Sequence, residues 1–326
     1  MNRENARNIM NYYGSHKTPF IFIIDFNMNN PVVIPLNNVN EKGILFDING
    51  FRNIDLNLKV FKNIKLIKKP INYNRYCIAF NKVQKHINYG DTYLVNLTFP
   101  TQIKINLSLF EIFIASRAKY KLLYKNDFVV FSPEIFVQIK NGYISSNPMK
   151  GTIDASVKNA REIIMRDQKE IAEHTTIVDL IRNDLSIIAK NVYVDKFRYI
   201  DKIKTNEKVL LQVSSRIVGK LERFYRGCIG DIIFSLLPAG SVSGAPKKRT
   251  VEIINDVEYY ERGYYTGIFG YFDGDNLDSG VMIRFIENNN GNFCYKSGGG
   301  ITALSNMRSE YLEMIDKVYV PVIGNN

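Results

Sequence analysis

The order of its short apolar segments constrains this chain more than any other feature. PFIFIIDF, PVVIPL and KGILFDI follow one another near the N-terminus, and YYTGIFGYFDG, GVMIRFIE and FCYKSGGGITA do so near the C-terminus. Each is strand-sized, rich in β-branched and aromatic residues, and set off by Asn or Gly clusters. Helical periodicity comes in blocks between these clusters, without the strict strand–helix alternation of a parallel sheet. Clustered strands predict an α+β fold built on antiparallel sheets. The pair Asn141-Gly142 in IFVQIKNGYISS adds a hairpin, because a type I′ turn needs positive φ at both central residues.

Apolar residues three and four apart predict a helix over 73–86, closed by Gly90, and others over SLFEIFIASRA and GDIIFSLLP. Residues 157–190 contain neither proline nor glycine and read as one helical stretch. Pro246 is suited to the first turn of a helix, where its missing N–H leaves nothing unsatisfied. A last helix is expected over 308–319. LVNLTFPTQI, KLLYKNDFVVF, VYVDKFRYIDK and KVLLQVSSRIVGKL read as extended. With 326 residues, 45% of them hydrophobic, the chain can bury a large core. The expected organisation is a short strand-rich segment, 1–70, packed on a larger domain, 71–326, in one compact unit.

A formal charge of +11 and a pI near 9.3 suit nucleic acid, a membrane surface or an acidic small molecule. The lysines are scattered among Asn and Ile, with no basic helix, RNP-like signature or zinc spacing, which argues against nucleic acid. The longest apolar runs, such as FIFII, are strand-sized, and MNRENARNIMNYY has no apolar leader core, which argues against a membrane role. Cys77, Cys228 and Cys294 are odd in number and far apart, so a disulfide framework is not expected and a cytoplasmic location is. An acidic metabolite remains.

Several groups carry possible chemistry, each with a plain structural alternative. Lys150 in SNPMKGTIDAS stands beside Gly151 and Thr152 in what reads as a tight turn, either as a solvated loop lysine or as one brought into a crowded site. Glu170 and Glu173 lie three apart on a predicted helix, as do Glu310 and Glu313, so each pair shares a face. Such pairs are either solvated or, taken together, hard oxygen ligands for one Mg²⁺. SGGGITALS can let a ligand approach the backbone, or form a flexible turn. The segment from Gly240, GSVSGAPKKRTVEII, offers N–H groups to a ligand oxygen, or simple capping by Ser243. Arg284 in VMIRF reads as a mid-strand cation in need of a partner. His16, His86 and His174 form no catalytic set, and neither a Walker A, a dinucleotide pattern nor a glycine-bracketed nucleophile is present.

These pieces occur together in an order that resembles the chorismate-utilising enzymes over roughly residues 70–320. The matching stretches are GDTYLVNLT, FSPEIF, PMKGT, KEIAEHTTIVDLIRNDLS, VLLQVSSRIVG, GSVSGAPKKRTVEII, GIFGYF, GVMIRF, SGGGITA and SEYLEMIDK. The resemblance implies large antiparallel sheets packed as a β-sandwich with helices outside, a site in a cleft, and Mg²⁺-assisted binding of chorismate, a dianion. At position 150 PMKGT is similar to the aminodeoxychorismate synthase branch, which has lysine there, while anthranilate synthases have alanine. That branch implies Lys150 as a nucleophile at C2 of chorismate, expelling the C4 hydroxyl before ammonia adds at C4. The chemistry needs a neutral amine, which cations at Arg284 and Lys317 would favour.

By the same resemblance Glu134 matches the general acid and base. Glu173 and Glu313 match direct Mg²⁺ ligands, with Glu170 and Glu310 in support. Gly151, Thr152, Ser241, Tyr271, Arg284, Gly298, Gly300 and Lys317 match substrate-holding positions. Two departures stand out. Gln212 replaces the family histidine and cannot deliver a proton at neutral pH, which disfavours pyruvate elimination. Leu94 occupies the position where isochorismate and salicylate synthases carry a lysine base, which disfavours attack by water. No tryptophan-feedback signature and no glutaminase setting for any cysteine are present, so ammonia is expected from a separate glutamine amidotransferase subunit. Anthranilate synthase component I, an isochorismate synthase and a non-catalytic paralogue remain as alternatives.

Overall fold

The computed structural model describes residues 1–55, 64–204 and 209–321. In chain order come α1 (Arg3–Ser15), β1 (Phe20–Ile24), β2 (Val32–Pro35), β3 (Ile44–Ile48), β4 (Phe51–Arg52) and β5 (Leu66–Lys69). Then follow α2 (Tyr73–Tyr89), β6 (Leu94–Ile105), α3 (Leu109–Ala115), β7 (Tyr120–Tyr124), β8 (Phe128–Ser132), β9 (Ile135–Lys140), β10 (Tyr143–Ser146) and β11 (Met149–Asp154). The middle holds α4 (Ala160–Arg166), α5 (Gln168–Ile188), β12 (Lys190–Lys204), β13 (Val209–Lys220) and α6 (Ile229–Leu236). The rest is β14 (Gly244–Ala245), α7 (Lys247–Val257), β15 (Ile268–Phe272), β16 (Leu277–Val281), β17 (Phe285–Asn289), β18 (Asn292–Ile301) and α8 (Met307–Asp316).

The strands form two antiparallel sheets. The first runs β11-β13-β10-β9-β16-β15-β1-β2 with β12 paired to β13, and the second runs β14-β6-β18-β17-β8-β7-β3-β4 with β5 paired to β6. FIFII explains the layering. Phe20, Phe22 and Ile24 pack with α1 and α6, while Ile21 and Ile23 face Phe46, Tyr120, Phe269 and Phe285 between the sheets. A strand covered on both faces has no reason to alternate in polarity, so the segment reads as unbroken apolar sequence. The outer face of the second sheet is covered by α2, α7 and α8 at one end and by α3 at the other. The fold is therefore α+β with two large antiparallel sheets, as the clustered strands predict.

Local chemistry sets most boundaries. Gly90 ends α2 in the left-handed conformation with φ 90°, where no Cβ is in the way. Ser108 and Glu111 form a capping box at the start of α3. Asn141 and Gly142 have φ 54° and 79°, the two positive values that the β9–β10 hairpin needs.

Three expectations are corrected. The N-terminus forms α1, capped by Asn2, because Ala6 and Met10 recur four apart and bury against α6. The stretch 157–190 divides in two at Asp167, whose extended backbone ends α4 and whose carboxylate accepts from the Glu170 N–H at 3.0 Å to start α5. Pro246 precedes α7 as its cap residue. FCYKSGGGITA is a strand as read, and of the two readings of its glycines the flexible turn falls, since Gly298, Gly299 and Gly300 pair with Thr98, Leu97 and Asn96 inside the second sheet.

Candidate active site

The site lies where the chain changes sheets. Between β8 and β9 it leaves the second sheet for the first through Pro133 and Glu134, and between β16 and β17 it returns through residues 282–284. The two passages run side by side. Val281 N–H donates to Glu134 O at 3.1 Å, and Phe131 N–H to Arg284 O at 3.1 Å. Arg284 is thus not mid-strand. Its φ of 54° bends the chain between the layers, a left-handed conformation that an arginine adopts only where its surroundings enforce it. Its guanidinium donates to Lys317 O at 3.0 Å and lies 4.8 Å from the Tyr319 ring centroid.

Lys150 is on edge strand β11, not in a turn. The register with β13 shifts between Lys150 and Thr152, and Gly151 there has φ 76°. A Cβ at Gly151 would sit 3.1 Å from Glu170 Oε2, so positive φ and close approach both call for glycine. The bulge aims Lys150 across α5 toward β18. Its Nζ lies 3.4 Å from Glu173 Oε2 and 3.3 Å from the point that a Cβ on Gly300 would occupy. Leu94 Cδ1 is 2.9 Å from that same point, beside the lysine.

On β18 the next glycine serves the other helix. A Cβ at Gly299 would be 3.5 Å from Glu310 Oε2, 3.7 Å from Lys317 Nζ and 3.8 Å from Glu313 Oε1. Lys317 Nζ pairs with Glu313 at 2.7 Å and donates to Gly298 O at 2.9 Å. Gly298 admits no side chain, since its Cβ would fall 2.3 Å from Leu97 O. A solvated face does not describe these acids uniformly. Glu173 and Glu310 are buried, at 7% and 3% exposure, while the Glu313 side chain is half exposed.

Ser241 arrives on the short turn after α6 and donates its hydroxyl to Glu134 Oε1. Burial pushes the Glu134 carboxyl up from its ordinary range, against the Ser241 hydrogen bond and the charges of Lys150, Lys317 and Arg284, which pull it down. Burial also pulls Lys317 down, opposed by Glu313 and reinforced by Lys150 and Arg284. Three cations and a carboxyl inclined to hold its proton therefore share one region, a suitable setting for an anionic ligand that must receive a proton. Two openings reach it. One has Glu134, Ser241, Asp184 and Phe136 in its wall. The other lies between Leu94, Glu173, Thr176 and Leu304.

The predicted residues divide accordingly. Lys150, Gly151, Glu170, Glu173, Gly298, Gly300, Glu310, Glu313, Lys317, Arg284, Glu134 and Ser241 surround this region. Thr152 and Gln212 sit one step along the sheet, opposite each other, with Gln212 Nε2 3.5 Å from Thr152 Oγ1. The buried Gln212 Oε1 has no hydrogen-bond partner among the described residues, so its acceptor is unused. Tyr271 is brought elsewhere. It pairs with Asp278 and stacks on Phe51 at 4.3 Å, deep along β15 and away from the passage that carries Arg284. Tyr265 is the residue sequence reasoning missed. It is buried, and the charges of Arg284 and Glu134 reach its hydroxyl. Its YYTG setting beside GIFGYF was the available signal. Ser243 caps no helix either: its hydroxyl donates to Ala239 O at 2.9 Å.

His174, next to Glu173 on α5, is fully buried and shares a 2.7 Å hydrogen bond with Ser215 Oγ. Burial first, then Arg198 and Lys150, pull its pKa down to about 4, so the imidazole is neutral. Among the described residues no three His, Cys, Asp or Glu side chains converge as a ready-made metal cage. Carboxylates in two pairs on α5 and α8 still suit Mg²⁺, which is held by one or two carboxylates and keeps other positions for water and substrate. The three cysteines are free thiols, and no helix among the described residues is long and apolar enough to cross a membrane.

Comparison with known proteins bears on the family. An uncharacterized PabA-like protein of Haemophilus influenzae is 49% identical over 314 residues, 96% of this chain and 95% of that protein. Anthranilate synthase component 1 of Acetivibrio thermocellus is 33% identical over 78% of this chain. Aminodeoxychorismate synthase component 1 of Bacillus subtilis is 31% identical over 77%. The chain spans just over half the length of these last two, 54% and 55%. Among solved structures, anthranilate synthase component I of Streptococcus pneumoniae superposes with a TM-score of 0.67 at 27% identity, covering 83% of this chain and 61% of that one. The family model described as chorismate binding enzyme matches residues 52–322, and this chain belongs to that family.

Proposed function

We propose that this chain aminates chorismate at C4 to give 4-amino-4-deoxychorismate, using ammonia from a separate glutamine amidotransferase chain, a step toward 4-aminobenzoate and folate. The observation that carries the reading is Lys150, whose amine reaches the glycine strand beside Glu173 and whose charge acts on Glu134. Lys150 Nζ attacks C2 of the ring. Both conjugated ring double bonds shift, and the C4 hydroxyl departs as water with a proton from Glu134, which burial keeps inclined to hold one until then. Ammonia adds at C4, both double bonds return, and the lysine leaves C2 as the free amine. The net change is chorismate plus ammonia to the amino product plus water.

Ser241 orients the Glu134 carboxyl, and Arg284 with Lys317 supplies positive charge for the substrate's carboxylates. Glu173 and Glu313, supported by Glu170 and Glu310, would hold Mg²⁺, whose charge would anchor the ring carboxylate. Gln212 lacks a proton to give at neutral pH, which favours stopping at the amino product over eliminating pyruvate. Leu94, packed beside Lys150, disfavours activation of water in its place.

The test incubates the purified chain with chorismate, Mg²⁺ and ammonium and follows products by mass spectrometry and fluorescence. The expected result is a non-aromatic amino product from the wild type and none from Lys150→Ala. Fluorescent anthranilate would move the assignment to an anthranilate synthase. An isomeric hydroxy product would show that water is the nucleophile.

A further inference from the structure

Arg262 lies outside every group discussed so far and is a buried cation with a full set of partners. It is 3% exposed, in the segment between α7 and β15. All five of its N–H donors are used. Nε donates to Glu258 Oε2 at 2.8 Å and NH2 to Glu258 Oε1 at 2.6 Å, a two-pronged pairing. The remaining three go to Val242 O at 2.8 Å, Thr266 Oγ1 at 3.3 Å and Asn96 O at 2.6 Å. Glu258 Oε1 also accepts from the Thr98 N–H at 2.9 Å and the Thr98 hydroxyl at 2.8 Å.

Where those bonds end matters. Val242 closes the turn 240–242, and the residue before it is Ser241, which donates to Glu134. Val242 O receives a second bond from Asn96 Nδ2 at 3.0 Å, and Asn96 N–H donates to Ser243 O at 2.9 Å. On its other side Arg262 reaches Thr266, whose N–H donates to Met282 O at 2.8 Å in the passage leading to Arg284. One guanidinium thus joins the Ser241 turn, strand β6 and the crossover that carries Arg284.

We infer that Arg262, held by Glu258, is a positioning residue that fixes the Ser241 turn so that its hydroxyl meets Glu134. This rests on the proposed role of Glu134 as acid. A lysine in its place has neither the fork nor, with three donors, enough to hold Glu258, Val242, Asn96 and Thr266 at once. The turn would then move, and a displacement near 1 Å can lower a rate by roughly 10²-fold.

Two variants test it: Arg262→Lys, and the milder Asn96→Ala, which removes one bond to Val242 O without leaving a buried charge. The amination rate is measured for each in the wild-type and the Ser241→Ala backgrounds, with its pH profile. Hydrogen exchange of the amides of residues 240–243 is followed by mass spectrometry. The expected result is a fall in kcat of roughly 10²-fold for Arg262→Lys and about fivefold for Asn96→Ala. Both effects should shrink to less than about twofold once Ser241 is absent. The limb of the pH profile that belongs to Glu134 should move to higher pH, because a loosened hydroxyl no longer favours the charged carboxylate. Exchange at 240–243 should quicken in both variants. Equal losses in both backgrounds, or unchanged exchange at 240–243 in folded Asn96→Ala protein, would overturn the inference. If the wild type does not turn over chorismate, the functional reading fails by itself, and the exchange measurement still decides whether Arg262 holds the turn.

Discussion

Two acid–base pairs within this fold show how differently the same chemistry can be used. Arg262 and Glu258 have side chains only 2% and 1% exposed, meet at 2.6 Å, and have every donor matched. Lys150 and Glu173 have side chains 22% and 8% exposed and meet at 3.4 Å, beyond the usual hydrogen-bond range. A buried pair is tolerable only when its geometry and its remaining hydrogen bonds are complete, and the first meets that condition. The second is longer and its lysine partly exposed, which leaves the amine able to exchange Glu173 for another partner. The tight pair holds backbone in place, and the looser one faces the proposed substrate.

The contrast can be broken most sharply at Glu258. Glu258→Ala leaves the Arg262 cation buried without its partner and should destabilise the fold by about 3–5 kcal/mol in urea unfolding. A loss under about 1 kcal/mol would show that the pair is not the clamp described. Next in size is the acid stability of the helix that carries Glu173. His174 has its folded pKa pulled down to about 4 from 6.5, so its contribution to stability is complete above 6.5 and is lost as pH falls toward 4. Over that window His174→Gln should flatten the stability profile by on the order of 2–3 kcal/mol, read from thermal unfolding at a series of pH values. An unchanged slope would mean the acid lability comes from elsewhere.

A smaller effect is expected at the bulge. Gly151→Ala must adopt φ 76° and place a Cβ 3.1 Å from Glu170 Oε2, which should lower stability by about 1–2 kcal/mol and displace Lys150. Retained stability together with retained amination would show that the bulge does not set the lysine's position. The smallest change should come from Lys150→Ala, with stability within about 1 kcal/mol of wild type, as for a long pair whose lysine is partly exposed. Amination should nonetheless disappear. A large loss of stability there would make Lys150 structural and erase the comparison.

How much was legible follows from how local each signal is. The Asn141-Gly142 hairpin, the Gly90 cap and the Ser108 capping box depend on neighbours in sequence, and each appears where the residues place it. Helix α1 escaped notice because its mean polarity conceals a narrow stripe at Ala6 and Met10 that buries only when α6 arrives. The SGGG glycines left two readings open, close approach or a flexible turn, and the sheet decides for the first by letting β6 and two helices approach closely. Tyr271 and Tyr265 both lie in aromatic, glycine-rich surroundings. Only the direction of β15 shows that one stacks on Phe51 while the other lies within reach of Arg284 and Glu134.

Alone, the sequence determined the α+β class, because apolar period and turn residues act over a few positions at a time. It also determined the types of group available: a lysine beside a glycine, two pairs of carboxylates, and an arginine among apolar residues. The tertiary structure decided which of these meet. Glu134 and Arg284, 150 positions apart, are neighbours because β8–β9 and β16–β17 change sheets side by side, and Lys150 joins them because a bulge turns an edge strand inward. The role of Arg262 is similarly invisible in sequence, since only folding brings the Val242 and Asn96 carbonyl oxygens, from two distant segments, within reach of the guanidinium that Glu258 holds.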